Sequence, residues 1–253
     1  METTQVPQSA TASQPTFKKA VRKKVKLKLA VTGPSGSGKT WSALLIAKGL
    51  GNKIALLDTE NDSASLYSDR FDFDTLSMNP PYSVGRYRVG VKAAVDAGYD
   101  VLVVDSISHA WAGEGGLLAK KEAMDARGGN SYTNWATITK EHEEFKAMLL
   151  NAPIHIICTM RSKQDYILVE NDKGKMVPKK VGMAPIQRDS IEYEFTTVLD
   201  MDMTHRATSN KDRTGLFSEG SFTPSEDTGK AIKAWLEIES KKPDAPQVDK
   251  PTQ

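Results

Sequence analysis

An apolar run, Leu27-Lys28-Leu29-Ala30-Val31-Thr32, leads into Gly33-Pro34-Ser35-Gly36-Ser37-Gly38-Lys39-Thr40, and a helical pattern starts at Lys39 and stops at Gly51. The spacing G-x-x-x-x-G-K-T, with a strand before it and a helix after it, severely narrows what the chain can be. The glycines let backbone N–H groups curl around a phosphate, and the following helix aims its positive N-terminal end at the same point. Lys39 is expected to reach the β- and γ-phosphates, and the Thr40 hydroxyl to ligate Mg²⁺. The loop from Gly33 to Thr40, with Trp41 directly behind it, is the expected ATP-binding segment.

Strand and helix patterns alternate around that loop. Residues 54–58, 101–105 and 154–159 read as strands, and 101–105 is the near-continuous apolar type that a parallel sheet buries on both faces. Residues 39–50, 84–97, 137–150 and 226–238 read as helices, with Gly98 stopping the second. After residue 160 the character changes. Residues 166–169 and 176–178 flank Asn171-Asp172-Lys173-Gly174 as an exposed hairpin or mobile loop, and strands follow near 193–201 and 205–208. The expected fold is α/β: a mostly parallel β-sheet sandwiched between helices, with late antiparallel strands. Residues 1–24 read as a disordered, then basic, N-terminal arm, 25–240 as one domain, and 241–253 as a disordered tail.

Composition removes some function classes. With 34 basic against 32 acidic residues the net charge is only +2, so the local distribution of charge must decide whether nucleic acid is a partner. The single cysteine, Cys158, rules out an internal disulfide, suggests a reducing compartment and, in the run Ile156-Ile157-Cys158, reads as a buried thiol. The four histidines form no cluster at zinc spacing. No apolar stretch approaches the roughly 20 residues that span a bilayer, and the start has no signal-peptide core. A soluble, intracellular protein is expected.

Two acids complete the expected site. Asp105 ends its apolar strand, so its carboxylate emerges at the sheet edge where open α/β sheets bind ligands, and it is the second candidate for holding the metal. Ser106 follows it rather than an acid, so a general base must come from elsewhere. Glu60, in Asp58-Thr59-Glu60-Asn61 just past the second strand, is the first candidate to orient and deprotonate an attacking water, with Asp58 as second choice. A helix N-cap at Asp105 and a solvated turn acid at Glu60 are the plainer alternatives.

Several classes of phosphate-loop protein are disfavoured. Asn210-Lys211-Asp212-Arg213 has an arginine where a guanine-specificity motif needs its last acid, and no D-x-x-G follows the second strand. No L-S-G-G-Q signature and no clear arginine-rich lid are present either. The order of elements instead resembles the core of the RecA-type recombinases over residues 26–217. Gly33 to Thr40 matches their phosphate loop, Leu57-Asp58-Thr59-Glu60-Asn61 the strand end that carries their catalytic glutamate, and Asp100-Val101-Leu102-Val103-Val104-Asp105-Ser106 their magnesium strand. The pattern is most similar to compact RecA-like, AAA-family ATP-binding proteins of bacteriophages associated with single-strand annealing and recombination.

That resemblance implies a RecA-like P-loop NTPase fold, ATP and Mg²⁺ as cofactors, and catalysis by Lys39, Glu60 and Asp105. It implies a γ-phosphate sensor in Cys158-Thr159-Met160-Arg161, where the family's glutamine is absent and Thr159 and Arg161 both remain open. Lys211 and Arg213 stand where recombinases place paired cations that reach a neighbour's γ-phosphate, though a solvated basic turn explains them equally well. Phe17-Lys18-Lys19-Ala20 resembles a protomer-linking F-x-x-A motif. The implied partners are single-stranded DNA, further copies of the chain in a filament or ring, and a phage single-strand-binding protein in the cytoplasm of a bacterial host.

Local charge adds its own argument for DNA. Arg161, Lys163, Lys173, Lys175, Lys179, Lys180 and Arg188 face only three acids within 161–188, and Tyr166 is available there to stack on a base. The run from Lys18 to Lys28 holds seven cations and no acid. Gly128-Gly129-Asn130-Ser131-Tyr132 reads as a second mobile loop. Against a DNA-dependent ATPase stands a different reading, a nucleotide-switched partner-binding protein such as a helicase loader or packaging accessory.

Overall fold

A strand that is apolar at almost every position needs cover on both faces. In the computed structural model, which describes residues 17, 19–128, 130–170 and 176–239, strands β2 (Ile54–Asp58) and β4 (Val101–Asp105) are buried at every position inside one sheet. Strand β1 (Lys28–Gly33) feeds the glycine loop and helix α1 (Lys39–Leu50) leaves it. Strand β3 (Asp74–Ser77) follows β2, and helix α2 (Val84–Asp96) precedes β4. Helices α3 (Ser108–Ala112), α4 (Leu117–Ala126) and α5 (Ser131–Asn151) come next. Strands β5 (His155–Glu170) and β6 (Met176–Pro185) pair as a hairpin, and β7 (Thr197–Met201), β8 (Ala207–Asp212), β9 (Ser221–Phe222) and helix α6 (Glu226–Leu236) complete the order.

Across the sheet the order is β3-β2-β4-β5-β1-β7-β8-β9, with β6 paired to β5. The strands from β3 to β7 are parallel, while β8, β9 and β6 are antiparallel to their neighbours. Side-chain alternation splits the core into two layers. Leu29, Val31, Leu56, Val103 and Ile157 pack with Leu44, Ala47 and Ile232 from α1 and α6, and Ala30, Leu57, Leu102, Val104 and Cys158 pack with Tyr87 and Phe145 from α2 and α5. The expected α/β architecture, with its late antiparallel strands, is the one observed. No helix among the described residues is long and apolar enough to cross a membrane.

Several boundaries differ from expectation for physical reasons. Helix α5 begins at Ser131 rather than 137, because the Asn130 side chain accepts the Tyr132 N–H at 2.9 Å and caps it; Ser131 and Tyr132 are helical, not loop. Strand β5 runs on to Glu170, because residues 162–170 find a partner in β6. The late strand near 205 begins only at Ala207, since His205 has φ 62° in a turn closed by its own N–H to Asp202 O. The β3 strand was not expected: its four residues are all exposed, so it has no apolar alternation to read. The disordered calls on 1–16 and 241–253, the turn at 171–174, and Lys18, Gly129, Lys173 and Lys175 lie outside the described residues.

Lys28 does not belong to the solvated basic run. It is 8% exposed, and its ammonium donates to Ala152 O at 2.7 Å and Ile154 O at 2.9 Å, satisfying carbonyls at the C-terminal end of α5. Burial lowers its pKa from 10.5 to about 8. The unfolded chain therefore holds this proton more tightly than the folded one, and folding stability at this group rises as pH climbs from about 8 to 10.5. In urea titrations the stability of wild type relative to Lys28→Met should rise across that window by at least about 1 kcal/mol, and a flat difference would contradict the buried position.

Candidate nucleotide site

The glycine loop has the backbone its spacing implied. Gly36 and Gly38 take φ of 80° and 83°, a region that side chains disfavour, and Gly38 caps α1 without any side-chain hydrogen bond. The first N–H groups of α1 are thus left to an incoming ligand. Ser37 N and Oγ both donate to Pro34 O, at 3.3 and 2.9 Å, and Lys39 Nζ donates to the same carbonyl at 2.7 Å. Burial lowers the Lys39 pKa, against the pull of Asp105 and Glu60, with Arg161 pushing the same way as burial. The loop borders a cavity of about 820 Å³, lined also by Trp41, Glu60, Tyr67, Asp105, Arg161, His205 and Pro224.

Asp105 is 2% exposed at the end of β4. Thr40 Oγ1 donates to its Oδ2 at 2.6 Å, and the buried Thr159 hydroxyl donates to its Oδ1. Burial raises the Asp105 pKa; the Thr159 and Thr40 hydrogen bonds oppose this, and the charges of Glu60 and Asp58 add to it. Two hard oxygens, one hydroxyl and one carboxylate, meet beside the phosphate loop, a donor pair that suits Mg²⁺ with its remaining positions left to phosphate and water. Among the described residues no group of three or more His, Cys, Asp or Glu could hold a metal ion. Asp105 is no N-cap, since α3 has no side-chain cap.

Glu60 sits across the cavity. Its Oε1 accepts Arg161 Nε at 2.8 Å and Ser106 Oγ at 3.0 Å, and its Oε2 accepts Arg161 Nη2. Burial pushes the Glu60 carboxyl up, but the Arg161 hydrogen bond and charge outweigh it and hold the pKa below the ordinary value. Asp58, the second choice for a base, is occupied structurally: its oxygens accept the N–H groups of Glu60 at 2.6 Å and Ala64 at 3.0 Å, shaping the turn that delivers Glu60. Thr59, between them, is buried; its hydroxyl accepts from Ser106 N at 2.8 Å and lies 2.8 Å from His109 Nδ1, whose ring stacks on Tyr82 at 4.6 Å.

Thr59, His109 and Tyr82 were missed, because only the β2–β4 pairing brings them together. Tyr67 was also missed, although a signal existed: buried Ala64, then Tyr67 and Phe71, repeat at helical spacing after Glu60. Tyr67 and Phe71 hold the Trp41 ring edge-on, at 5.4 and 4.9 Å, and give the cavity an aromatic wall. Of the two candidate sensors, Thr159 is spent on Asp105, whereas Arg161 faces the cavity.

The basic residues divide. Arg161, expected among the DNA contacts, points instead at Glu60. Arg188 is half-buried beside Gln187, with Nη1 shielded from solvent. Lys163 is exposed on the outer part of β5, and in the hairpin register Tyr166 pairs with Lys180 and Ile167 with Lys179. Lys211 donates to the carbonyls of Glu192 (3.4 Å) and Tyr193, and Arg213 Nη2 to Tyr193 O at 3.4 Å. This pair of cations stands together but does not line the chain's own cavity.

A phosphate loop at a strand–helix junction, backed by an acid on a second parallel strand, defines a P-loop nucleotide hydrolase. A family model described as an AAA domain matches residues 25–228, and the chain belongs to that family of nucleotide-binding ATPases. No curated protein matches the chain.

Because the folded state protonates Asp105 more readily than the unfolded chain does, this group's contribution to stability falls as pH rises from the ordinary carboxyl value of 3.8 through the higher folded one. Asp105→Asn should therefore be more stable than wild type at neutral pH without nucleotide, by roughly 0.5–2 kcal/mol, and melt higher, and the advantage should vanish in acid. A lower melting point at pH 7 would show that the ionised carboxylate stabilises the empty site.

Proposed function

We propose that this chain is a magnesium-dependent ATPase whose turnover is coupled to single-stranded DNA, of the compact RecA-like type that serves phage annealing, recombination or replication. The observation that carries the reading is the course of β5. One strand runs from between β1 and β4, past the cavity at Arg161, and out into the hairpin with β6. Anything that binds the hairpin is joined by continuous backbone to the residue facing the terminal phosphate.

In this reading Lys39 and the loop N–H groups bind the phosphates, and Thr40 with Asp105 would hold Mg²⁺, which when bound neutralises charge on the phosphate oxygens. Glu60 orients a water for in-line attack and takes its proton, while Ser106 holds the carboxylate in place. Arg161, rather than Thr159, contacts the γ-phosphate, and Thr159 positions Asp105. Trp41 and Tyr67 wall the cavity beside the base. Lys163, Lys173, Lys175, Lys179 and Lys180 give the hairpin its charge for a phosphate backbone, with Tyr166 to stack on a base. Lys211 and Arg213 serve a neighbouring copy in a filament or ring, where the transition state gains charge stabilisation from the adjacent subunit.

ATP turnover with and without single-stranded DNA tests this. Stimulation by DNA is expected, with binding that weakens steeply as salt rises. Lys39→Ala and Glu60→Gln should each lower turnover by about a hundredfold or more. A wild-type rate indifferent to DNA would transfer the case to a nucleotide-switched partner-binding protein.

A further inference from the structure

Glu60 and Arg161 meet across the mouth of the cavity in a bidentate pair, and Ser106 takes a further position on Oε1. Both carboxylate oxygens are occupied. Three of its roughly four acceptor positions are filled, and a carboxylate bound this way by a guanidinium is a weak proton acceptor. As it stands, the acid is positioned but out of service.

Arg161 is placed to change partner. Its Cα is the last in register with β1, opposite Gly33, and the next residue, Ser162, opens the antiparallel ladder opposite Pro185. Its backbone is fixed on both sides: the N–H donates to Ser108 Oγ at 2.9 Å, and the carbonyl accepts Ile186 N–H at 2.6 Å. Only the side chain is free to swing. That side chain is 47% exposed, against 20% for Glu60, so the guanidinium can leave without a large desolvation cost. It lines the same cavity as Lys39. A terminal phosphate offers a guanidinium the same two-oxygen geometry as a carboxylate, with more charge.

We propose that the Glu60–Arg161 ion pair is a resting lock on the hydrolytic acid, opened only when the terminal phosphate of a nucleoside triphosphate takes the guanidinium. A diphosphate ends short of Arg161 and leaves the lock closed. Once Arg161 has moved, Ser106 still holds Oε1, so Glu60 keeps its place while Oε2 becomes free for water. The inference rests on the reading of Glu60 as the base, and it adds that triphosphate binding must first break an existing ion pair.

Equilibrium binding separates the two ideas. Wild type, Glu60→Gln, Arg161→Ala and the double variant are each titrated with ADP and with a non-hydrolysable ATP analogue, both with Mg²⁺. Glu60→Gln replaces a charged pair by a weaker neutral contact, so it should tighten the analogue about tenfold and leave ADP unchanged. Arg161→Ala should bring the analogue down toward the affinity for ADP, and adding Glu60→Gln should then have no effect. Arg161→Lys, which keeps the charge but loses the bidentate geometry, should fall between, and it carries the test with Glu60→Gln if Arg161→Ala does not fold. An analogue-to-ADP affinity ratio unchanged by Glu60→Gln overturns the lock. If that ratio shifts while Glu60→Gln still hydrolyses ATP normally, the partner exchange stands and the base assignment falls; lost turnover with an unchanged ratio does the reverse.

Discussion

The carboxylate of Asp105 joins three elements that would otherwise only lie side by side. It ends β4, yet the glycine loop leaves β1, and β5 lies between those two strands. The acid therefore has to act across an intervening strand. Thr159 fills that gap, standing opposite Val31 in the β1 register and donating its hydroxyl to one carboxylate oxygen while Thr40 of α1 donates to the other. A buried acid left without these donors would be a costly unsatisfied group, so the hydroxyls fix the distance between phosphate loop and β4 as well as the acid's orientation. The same desolvation that makes this carboxylate costly to ionise leaves it with the most to gain from a nearby cation.

Strand β5 is two strands joined end to end. Its first half is buried in the parallel sheet, where movement would break ladders on both sides; its second half pairs, among the described residues, with β6 alone. The junction is secured from below. Gln187, just past β6, donates to Ile107 O at 3.0 Å and lies 3.2 Å from His142 Nε2, while Ile107 N donates to Thr159 O at 3.1 Å. The base of the hairpin is thus tied to the loop that follows Asp105. With the backbone held so closely, the proposed coupling between cavity and hairpin would have to travel by side-chain exchange at Arg161 or by movement of the hairpin beyond Ser162.

What could be read from the sequence was local. The glycine loop, Asp105 and Glu60 each announce themselves within a few residues of a strand end, and the geometry brings all three to one cavity. The roles of Thr159, Thr59 and His109 were not legible, because each depends on which strands are neighbours, and strand order is a long-range property. Arg161 was read two ways, as a candidate γ-phosphate sensor beside Thr159 and as part of a charge count; a count carries no direction, and the side chain faces Glu60 rather than the hairpin's outer surface. Lys28 shows the same limit more sharply. Within a run of cations it looks solvated, and only the carbonyls of Ala152 and Ile154, more than a hundred residues away, make its burial tolerable.

Charge balance inside the cavity explains why net charge was a poor guide. Lys39 and Arg161 face Glu60 and Asp105, so the resting site holds two cations against two acids, with Lys39 parked on the Pro34 carbonyl. Such a site exerts little net pull on a polyphosphate at long range. Under the proposed function, binding instead depends on rearrangement: Lys39 must leave Pro34, Thr40 must turn its hydroxyl from Asp105, and Arg161 must leave Glu60. Each exchange trades an internal partner for an oxygen of the ligand or its cation, so the nucleotide's binding free energy is partly spent on freeing the groups that act on it. A loop that bound phosphate with no prior partners would favour triphosphate over diphosphate more strongly, because no internal contact would have to be given up for the last phosphate. Under the proposed lock the exchange at Arg161 lowers the affinity for triphosphate alone, and what it yields in return is a Glu60 carboxylate freed only when the terminal phosphate is present.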